Sequence, residues 1–229
     1  MRAFTFALCT LAATATACTT VEPQLPPALQ SNAATLPIKG ANGLHGTLRM
    51  STLDGRSVAA KYGGYGQSVT FFDVAQRKKF KTRFTQRVAG SPDIEADCRA
   101  DVQNYTLNQP GVTIQTTPMT YGCTFTRKGE VVGVFDLSDL GNDRVVSRSA
   151  TLKLDGVSLD VASLHKDTTS GMTLAYPIAY SFARNGETVA SVNVAGDRGL
   201  TLRRGMDSAT EEAVRLGAIA LSILSDPSA

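Results

Sequence analysis

Glu211-Glu212-Ala213-Val214-Arg215-Leu216-Gly217-Ala218-Ile219-Ala220-Leu221-Ser222-Ile223-Leu224 closes the chain with a run whose chemistry decides the fold. Ser208-Ala209-Thr210-Glu211 in front of it is a capping-box pattern, and Glu211 and Arg215 stand one helical turn apart, so a helix is expected over 208–224. Beyond Arg215 no charge appears until Asp226. A helix apolar all round, and too short to span a bilayer, must be buried inside protein.

What buries it lies upstream. From Leu44 to about Arg204 the chain alternates apolar and polar residues in short segments rich in Val, Thr, Phe and Tyr, the pattern of an antiparallel β-protein. Clear examples are Val69-Thr70-Phe71-Phe72, Val112-Thr113-Ile114-Gln115, Thr151-Leu152-Lys153-Leu154 and Val189-Ala190-Ser191-Val192-Asn193-Val194. Lys128-Gly129, Asp155-Gly156 and Asn185-Gly186 read as hairpin turns. Two hairpins resemble each other: Pro118-Met119-Thr120-Tyr121 leads to Phe125-Thr126-Arg127-Lys128-Gly129-Glu130, and Pro177-Ile178-Ala179-Tyr180 to Phe182-Ala183-Arg184-Asn185-Gly186-Glu187. Gene duplication and recurrent hairpin chemistry both explain this.

Many strands followed by one apolar helix predict a mainly β fold, an antiparallel barrel or sandwich with a buried C-terminal helix. Over residues 44–224 this architecture, with its repeated hairpins, resembles the tubby-like barrel, a class that includes the LURP-one-related and scramblase-like proteins. That resemblance implies a closed antiparallel barrel of about twelve strands around a C-terminal helix. A β-sandwich with the helix on its side is the alternative.

The amino terminus gives an address. Met1-Arg2 followed by the apolar run Ala3–Ala13 and small residues at Ala15-Thr16-Ala17 form a secretory signal over 1–17. Ala15-Thr16-Ala17-Cys18 is similar to the lipobox of bacterial lipoproteins, with Ala15 where that family usually carries Leu. The resemblance implies diacylglycerol on the Cys18 thiol, acylation of the new amino terminus, palmitate among the chains, and a stable membrane anchor. Thr19, rather than Asp, implies sorting to the outer membrane. Ordinary cleavage after Ala17, giving a soluble periplasmic protein, is the other reading.

Residues 18–42 contain Pro23, Pro26, Pro27 and Pro37 without apolar periodicity and are expected to be an extended tether, leaving 43–229 as the β domain. Removal of the signal leaves about 200 residues, enough for one core.

Of four cysteines, Cys9 leaves with the signal and Cys18 is the lipidation candidate. Cys98 and Cys123 are then expected to form a disulfide in an oxidising compartment, with two free buried thiols as the alternative. Loss of Arg2 lowers a formal net charge of +3 to +2, too little to imply a nucleic-acid partner.

The most informative charged stretch is Arg77-Lys78-Lys79-Phe80-Lys81-Thr82-Arg83-Phe84-Thr85-Gln86-Arg87. As a strand it projects Arg77, Lys79, Lys81, Arg83 and Arg87 from one face and Phe80, Phe84 and Val88 from the other. The cationic face suits the phosphates of anionic lipid or lipopolysaccharide, or an acidic glycan. The tubby-like resemblance implies the same, since eukaryotic members recognise phosphoinositides through basic barrel residues. A solvated face that discourages edge pairing is the bland reading.

Asp93, Glu95, Asp97 and Asp101 surround Cys98, and pairing with the basic strand explains them more simply than Ca²⁺ binding. Gly63-Gly64-Tyr65-Gly66 lacks the Lys-Ser/Thr of a phosphate loop and is expected to be a flexible turn. The two histidines, His45 and His165, have no metal-ligand spacing, and no Gly-x-Ser-x-Gly elbow marks a nucleophile. The sequence therefore supports a non-enzymatic envelope lipoprotein, without cofactor or metal, that binds anionic lipid or an envelope partner. An assembly factor binding another envelope protein, or a hydrolase acting on envelope polymers, are the alternatives.

Overall fold

Lys128-Gly129, Asp155-Gly156 and Asn185-Gly186 each place both residues at positive φ. That conformation twists with the flanking strands, so each dipeptide fixes a tight hairpin. The residues flanking them are direct partners across the ladder: Arg127 with Glu130, Leu154 with Val157, Arg184 with Glu187.

The computed structural model of the chain describes residues 21–41, 43–71, 75–106, 113–140 and 145–224. Cys9, Cys18 and the signal segment lie outside these residues, as do Phe72 and Val112. A short helix α1 (Pro27–Gln30) and strand β1 (Ala33–Pro37) come first. Strands β2 (His45–Ser51), β3 (Ser57–Phe71), β4 (Ala75–Val88), β5 (Ile94–Thr106), β6 (Thr113–Arg127) and β7 (Glu130–Asp139) follow. Then come β8 (Arg148–Leu154), β9 (Val157–Leu164), β10 (Ala179–Arg184), β11 (Glu187–Asn193), β12 (Gly199–Arg203) and helix α2 (Ser208–Ile223).

All twelve strands form one antiparallel sheet in the order β1-β12-β11-β10-β9-β8-β7-β6-β5-β4-β3-β2. From β2 to β12 sequence neighbours are spatial neighbours, so connections alternate between two ends. The lower end carries the tight turns and the entry to α2. The upper end carries the links after β1, β3, β5, β7, β9 and β11. The sheet curls into a nearly closed barrel. Its seam between β1 and β2 is bridged where Lys39 and Arg49 exchange backbone hydrogen bonds of 2.9 and 2.8 Å.

The expected buried helix fills that barrel. Residues 213–223 are buried on every side, as a helix without a polar face requires. A row of inward side chains runs around the sheet through Thr82, Cys98, Cys123, Phe135, Leu152 and Leu159. The Tyr121 hydroxyl donates to the Ala220 carbonyl at 3.0 Å, and burial pushes its phenol pKa up. Gly217 lies against Phe182 and Leu152. Cys98 and Cys123 are paired across β5 and β6 and form a disulfide.

Asp207, rather than Ser208, caps α2: its carboxylate accepts from the Thr210 N–H at 2.9 Å and the Thr210 hydroxyl at 2.8 Å. The Glu211–Arg215 pair forms as spaced, buried at 3.1 Å, and Glu211 also accepts the Leu53 N–H. The related hairpins share more than sequence. Each has an irregular register immediately after an inward phenylalanine, Phe125 or Phe182, and each sends an arginine to the start of α2. Arg127 reaches Glu212 at 2.8 Å and Arg184 reaches Asp207 at 2.6 Å.

Two expectations are corrected. Residues 21–41 do not stand off as a tether: Leu29 is 2% exposed, and β1 pairs with β12 from Ala33–Arg203 to Pro37–Gly199. The open edge of β12 needs a partner to close the barrel, and a proline at the end of the pairing segment is compatible with that role. Gly63-Gly64-Tyr65-Gly66 is not a turn but lies inside β3, paired with β4. A Cβ on Gly64 would come within 2.9 Å of the Lys81 carbonyl and 2.8 Å of the Thr82 hydroxyl, so close strand approach requires the glycine there.

Strands β3 to β6 are the longest, at 13 to 15 residues, and they outrun their neighbours. Strand β2 begins at His45 opposite Gly63, and β7 ends at Asp139 beside Thr120 and Met119. Above those levels the four strands continue as an arm at the upper end. Tyr65 to Val69 are exposed without alternation, so both faces of the arm meet solvent there.

Candidate functional site: a cationic cluster on the outer face

Alternation along β4 is as the sequence implies. Phe84 and Val88 are in the core and Phe80 packs against it, while Arg77, Lys79, Lys81, Arg83 and Arg87 project outward. The facing acids of β5, and Asp93 just before it, meet them. Arg77 Nε donates to Asp101 at 3.0 Å, Arg87 Nε lies 3.0 Å from Asp93, and Lys79 is the cross-strand partner of Asp101. Pairing with the basic strand thus accounts for most of the acidic cluster. Among the described residues no group of three or more His, Cys, Asp or Glu is placed to hold a metal ion.

The densest convergence of cations is on Asp97. Arg83 Nε, Lys81 Nζ and Arg99 Nε lie 2.8, 3.4 and 3.4 Å from the single carboxylate of Asp97. Partial burial works to raise the Asp97 pKa, but hydrogen bonds from Arg83 and Lys81 outweigh it and hold the carboxyl below its ordinary value. Lys81 and Arg99 are direct cross-strand partners, a like-charge pairing that costs stability. The carboxylate of Asp97, within 3.4 Å of both, offsets that cost. Arg83 and Arg99 keep 70% and 73% of their side chains exposed, with guanidinium donors turned to solvent.

The cluster sits between two shallow depressions. On one side Arg99 and Asp97 border a groove of about 760 Å³, lined further by Thr120, Gly122 and Thr124 of β6 and by Asp136 and Ser138 of β7. On the other, Lys81 and Arg83 border a depression of about 430 Å³ with His45, Gly63, Gly64 and Tyr65. Gly63 has no side chain to stand between His45 and Arg83, its partners on either side, so all three present to one space. Guanidinium forks and an ammonium around these hollows offer many donors to an oxyanion.

Arg99 and His45 were missing from the sequence-level candidates. Arg99 was legible in the alternation of Asp97, Arg99 and Asp101, which puts all three on one face; His45 reaches the site only through the pairing of β2 with β3. His165 also has a place in the fold. Its Nδ1 is 3.1 Å from the Leu174 carbonyl and its Nε2 is 2.9 Å from Ser163 Oγ, which accepts the Arg148 N–H at 2.8 Å. Burial lowers the His165 pKa, so the neutral ring accepts from Ser163 while Nδ1–H donates to Leu174. The pair ties the β9–β10 connection to the sheet, and neither residue lines the two depressions above.

No helix among the described residues is long and apolar enough to cross a membrane. In comparisons with known proteins, no family model matches the chain, and neither a curated protein nor a solved structure matches it.

Proposed function

We propose that the protein is a non-enzymatic lipoprotein of the outer membrane, anchored through Cys18, whose β3–β5 outer face binds the phosphates of anionic lipid. Three cations sharing the Asp97 carboxylate carry this reading. Lys81, Arg83 and Arg99 converge on one carboxylate, and their remaining donors suit the singly charged phosphodiester of an anionic lipid. A strand pairing that sets Lys81 opposite Arg99 costs stability, and a bound anion would relieve it. The pairing of Arg77 and Arg87 with Asp101 and Asp93 reserves those outer cations for structure and narrows the site to the centre of the face. The lipobox-like Cys18 and the tubby-like architecture support the address and the ligand class.

The test is co-sedimentation of the Cys18→Ser protein, which lacks the anchor, with phosphatidylcholine vesicles with and without phosphatidylglycerol across a salt series. Binding is expected only with the anionic lipid and to weaken as salt rises. A triple variant carrying Lys81→Glu, Arg83→Glu and Arg99→Glu should lose that binding. Equal binding by the triple variant, or none by the parent, would move the function to an envelope protein partner.

A further inference from the structure

The exposed apolar side chains are not spread over the barrel. Among the described residues, the exposed large hydrophobic side chains are Leu44, Tyr65, Val69, Val131, Leu140, Met172 and Tyr176. All but Val131 belong to the upper end. Leu44 immediately precedes β2, and its carbonyl accepts the Gly64 N–H. Tyr65 and Val69 lie on the arm, Leu140 follows β7, and Met172 and Tyr176 lie in the β9–β10 connection. The last two connections are joined, since the Val146 N–H donates to the Ala175 carbonyl at 2.8 Å. Scattered apolar residues need no explanation, but a rim of them around one end of a barrel does.

The amino terminus is fastened to the same end. Asp167 accepts the Glu22 N–H at 3.0 Å, the Thr168 N–H donates to the Glu22 carbonyl at 2.8 Å, and the Gln24 N–H donates to the Lys166 carbonyl at 2.9 Å. Cys18 precedes Glu22 by four residues, a chain length of at most about 14 Å. Arg77, Lys79 and the exposed Lys166 add positive charge at this end, with Asp101 against Arg77.

From these placements we propose that the upper rim is the bilayer-facing end of the protein. Leu140, Met172 and Tyr176 enter the headgroup region, and the arm lies against the membrane with Tyr65 and Val69 at the interface. This rests on the reading of Cys18 as the lipidated residue. An acyl chain there leaves too little slack for the barrel to turn its lower end to the membrane. The tight turns and the Val131 end are then turned away from the bilayer. Amphipathic tyrosine and flexible methionine suit an interface that is apolar on one side and wet on the other.

The chain contains no tryptophan, so one introduced indole reports without background. Full-length protein carrying Met172→Trp, Tyr176→Trp or Val131→Trp would be reconstituted into phosphatidylcholine vesicles containing phosphatidylglycerol, with and without acyl-brominated lipid. Emission from positions 172 and 176 should shift to the blue and be quenched by brominated lipid, while Val131→Trp should match its emission in buffer. Quenching at 131, its absence at 172 and 176 on vesicle-bound protein, or failure of the full-length protein to associate with vesicles would overturn the orientation. Adding Lys81→Glu, Arg83→Glu and Arg99→Glu to the Met172→Trp protein separates the two proposals. Rim quenching that survives these changes shows that the orientation does not depend on the cationic cluster. Salt-sensitive binding of the anchorless parent without rim quenching keeps the site without the orientation.

Discussion

Gly217 is a residue whose identity runs against its element. In a helix interior glycine costs about 1 kcal/mol relative to alanine. Here a Cβ would come within 2.8 Å of Phe182 Cε1 and 3.3 Å of Leu152 Cδ1, so the absent side chain is what lets α2 sit against the wall of the barrel. Gly217→Ala should therefore destabilise the protein by about 1–3 kcal/mol despite its better helix propensity, because overpacking outweighs propensity. Equilibrium denaturation in urea would measure it, and a stabilised variant would show that the wall gives way. The sequence displayed Gly217 plainly but not its reason, since the contact joins residues far apart in the chain. Asp97 is a similar case: its acidity was visible, but its sharing by Lys81, Arg83 and Arg99 depends on the register of β4 against β5.

Elements were more legible than contacts. The apolar run 216–224 and the dipeptides at 128, 155 and 185 carry local chemistry that hardly depends on the rest of the chain, and the helix and three hairpins follow. Strand β1 was hidden because five residues between prolines show too little alternation to mark a strand, and only the open edge of β12 gives them a partner. The disulfide couples β5 to β6, closing a segment with a sequence separation of 25. Replacing both Cys98 and Cys123 by alanine should cost about 3 kcal/mol through greater freedom of the unfolded chain. The denaturation midpoint compared with that of the oxidised parent would show it, and an unchanged midpoint would mean that the hairpin is already constrained.

The start of α2 adds a pH dependence. Hydrogen bonds from the Thr210 backbone and hydroxyl, with help from Arg184, lower the Asp207 pKa from 3.8 to about 2. A carboxyl depressed by folding stabilises the fold above its ordinary value, and the contribution is lost as pH falls from about 4 through about 2. Asp207→Asn keeps a capping oxygen but does not titrate. Its stability deficit against the parent should shrink as pH falls through that window, read from acid unfolding by circular dichroism. Asp167, also lowered to about 2 chiefly by the Ser170 hydroxyl, fastens Glu22 with the same sign of pH dependence.

At the scale of the whole molecule, two asymmetries point the same way. The lower end is closed by two-residue turns and by the salt bridges that fix the first turn of α2. The upper end carries the arm, the long connections, the amino terminus and nearly all of the exposed apolar side chains among the described residues. A barrel needs only short turns to hold its strands, so the elaborated end is where interaction is expected. Anionic-lipid binding by the cationic cluster and contact by the rim would then act together, one supplying charge and the other burial. Removing the cluster should abolish the salt-sensitive binding of the anchorless protein and removing the rim should weaken attachment, in both cases without loss of the fold, since both lie outside the core.

The sequence by itself determined that the chain is mainly β, that its last segment is a helix needing burial, and that β4 would show one basic and one apolar face. These follow from periodicity, turn chemistry and capping, which act over a few residues. Only the tertiary structure decided that 33–37 completes the sheet, that Arg99 and His45 join Lys81 and Arg83, and that the exposed apolar side chains gather at the amino-terminal end. Each depends on strand register and on which end of the barrel a connection occupies, and those are set by the closing of the whole sheet around one buried helix.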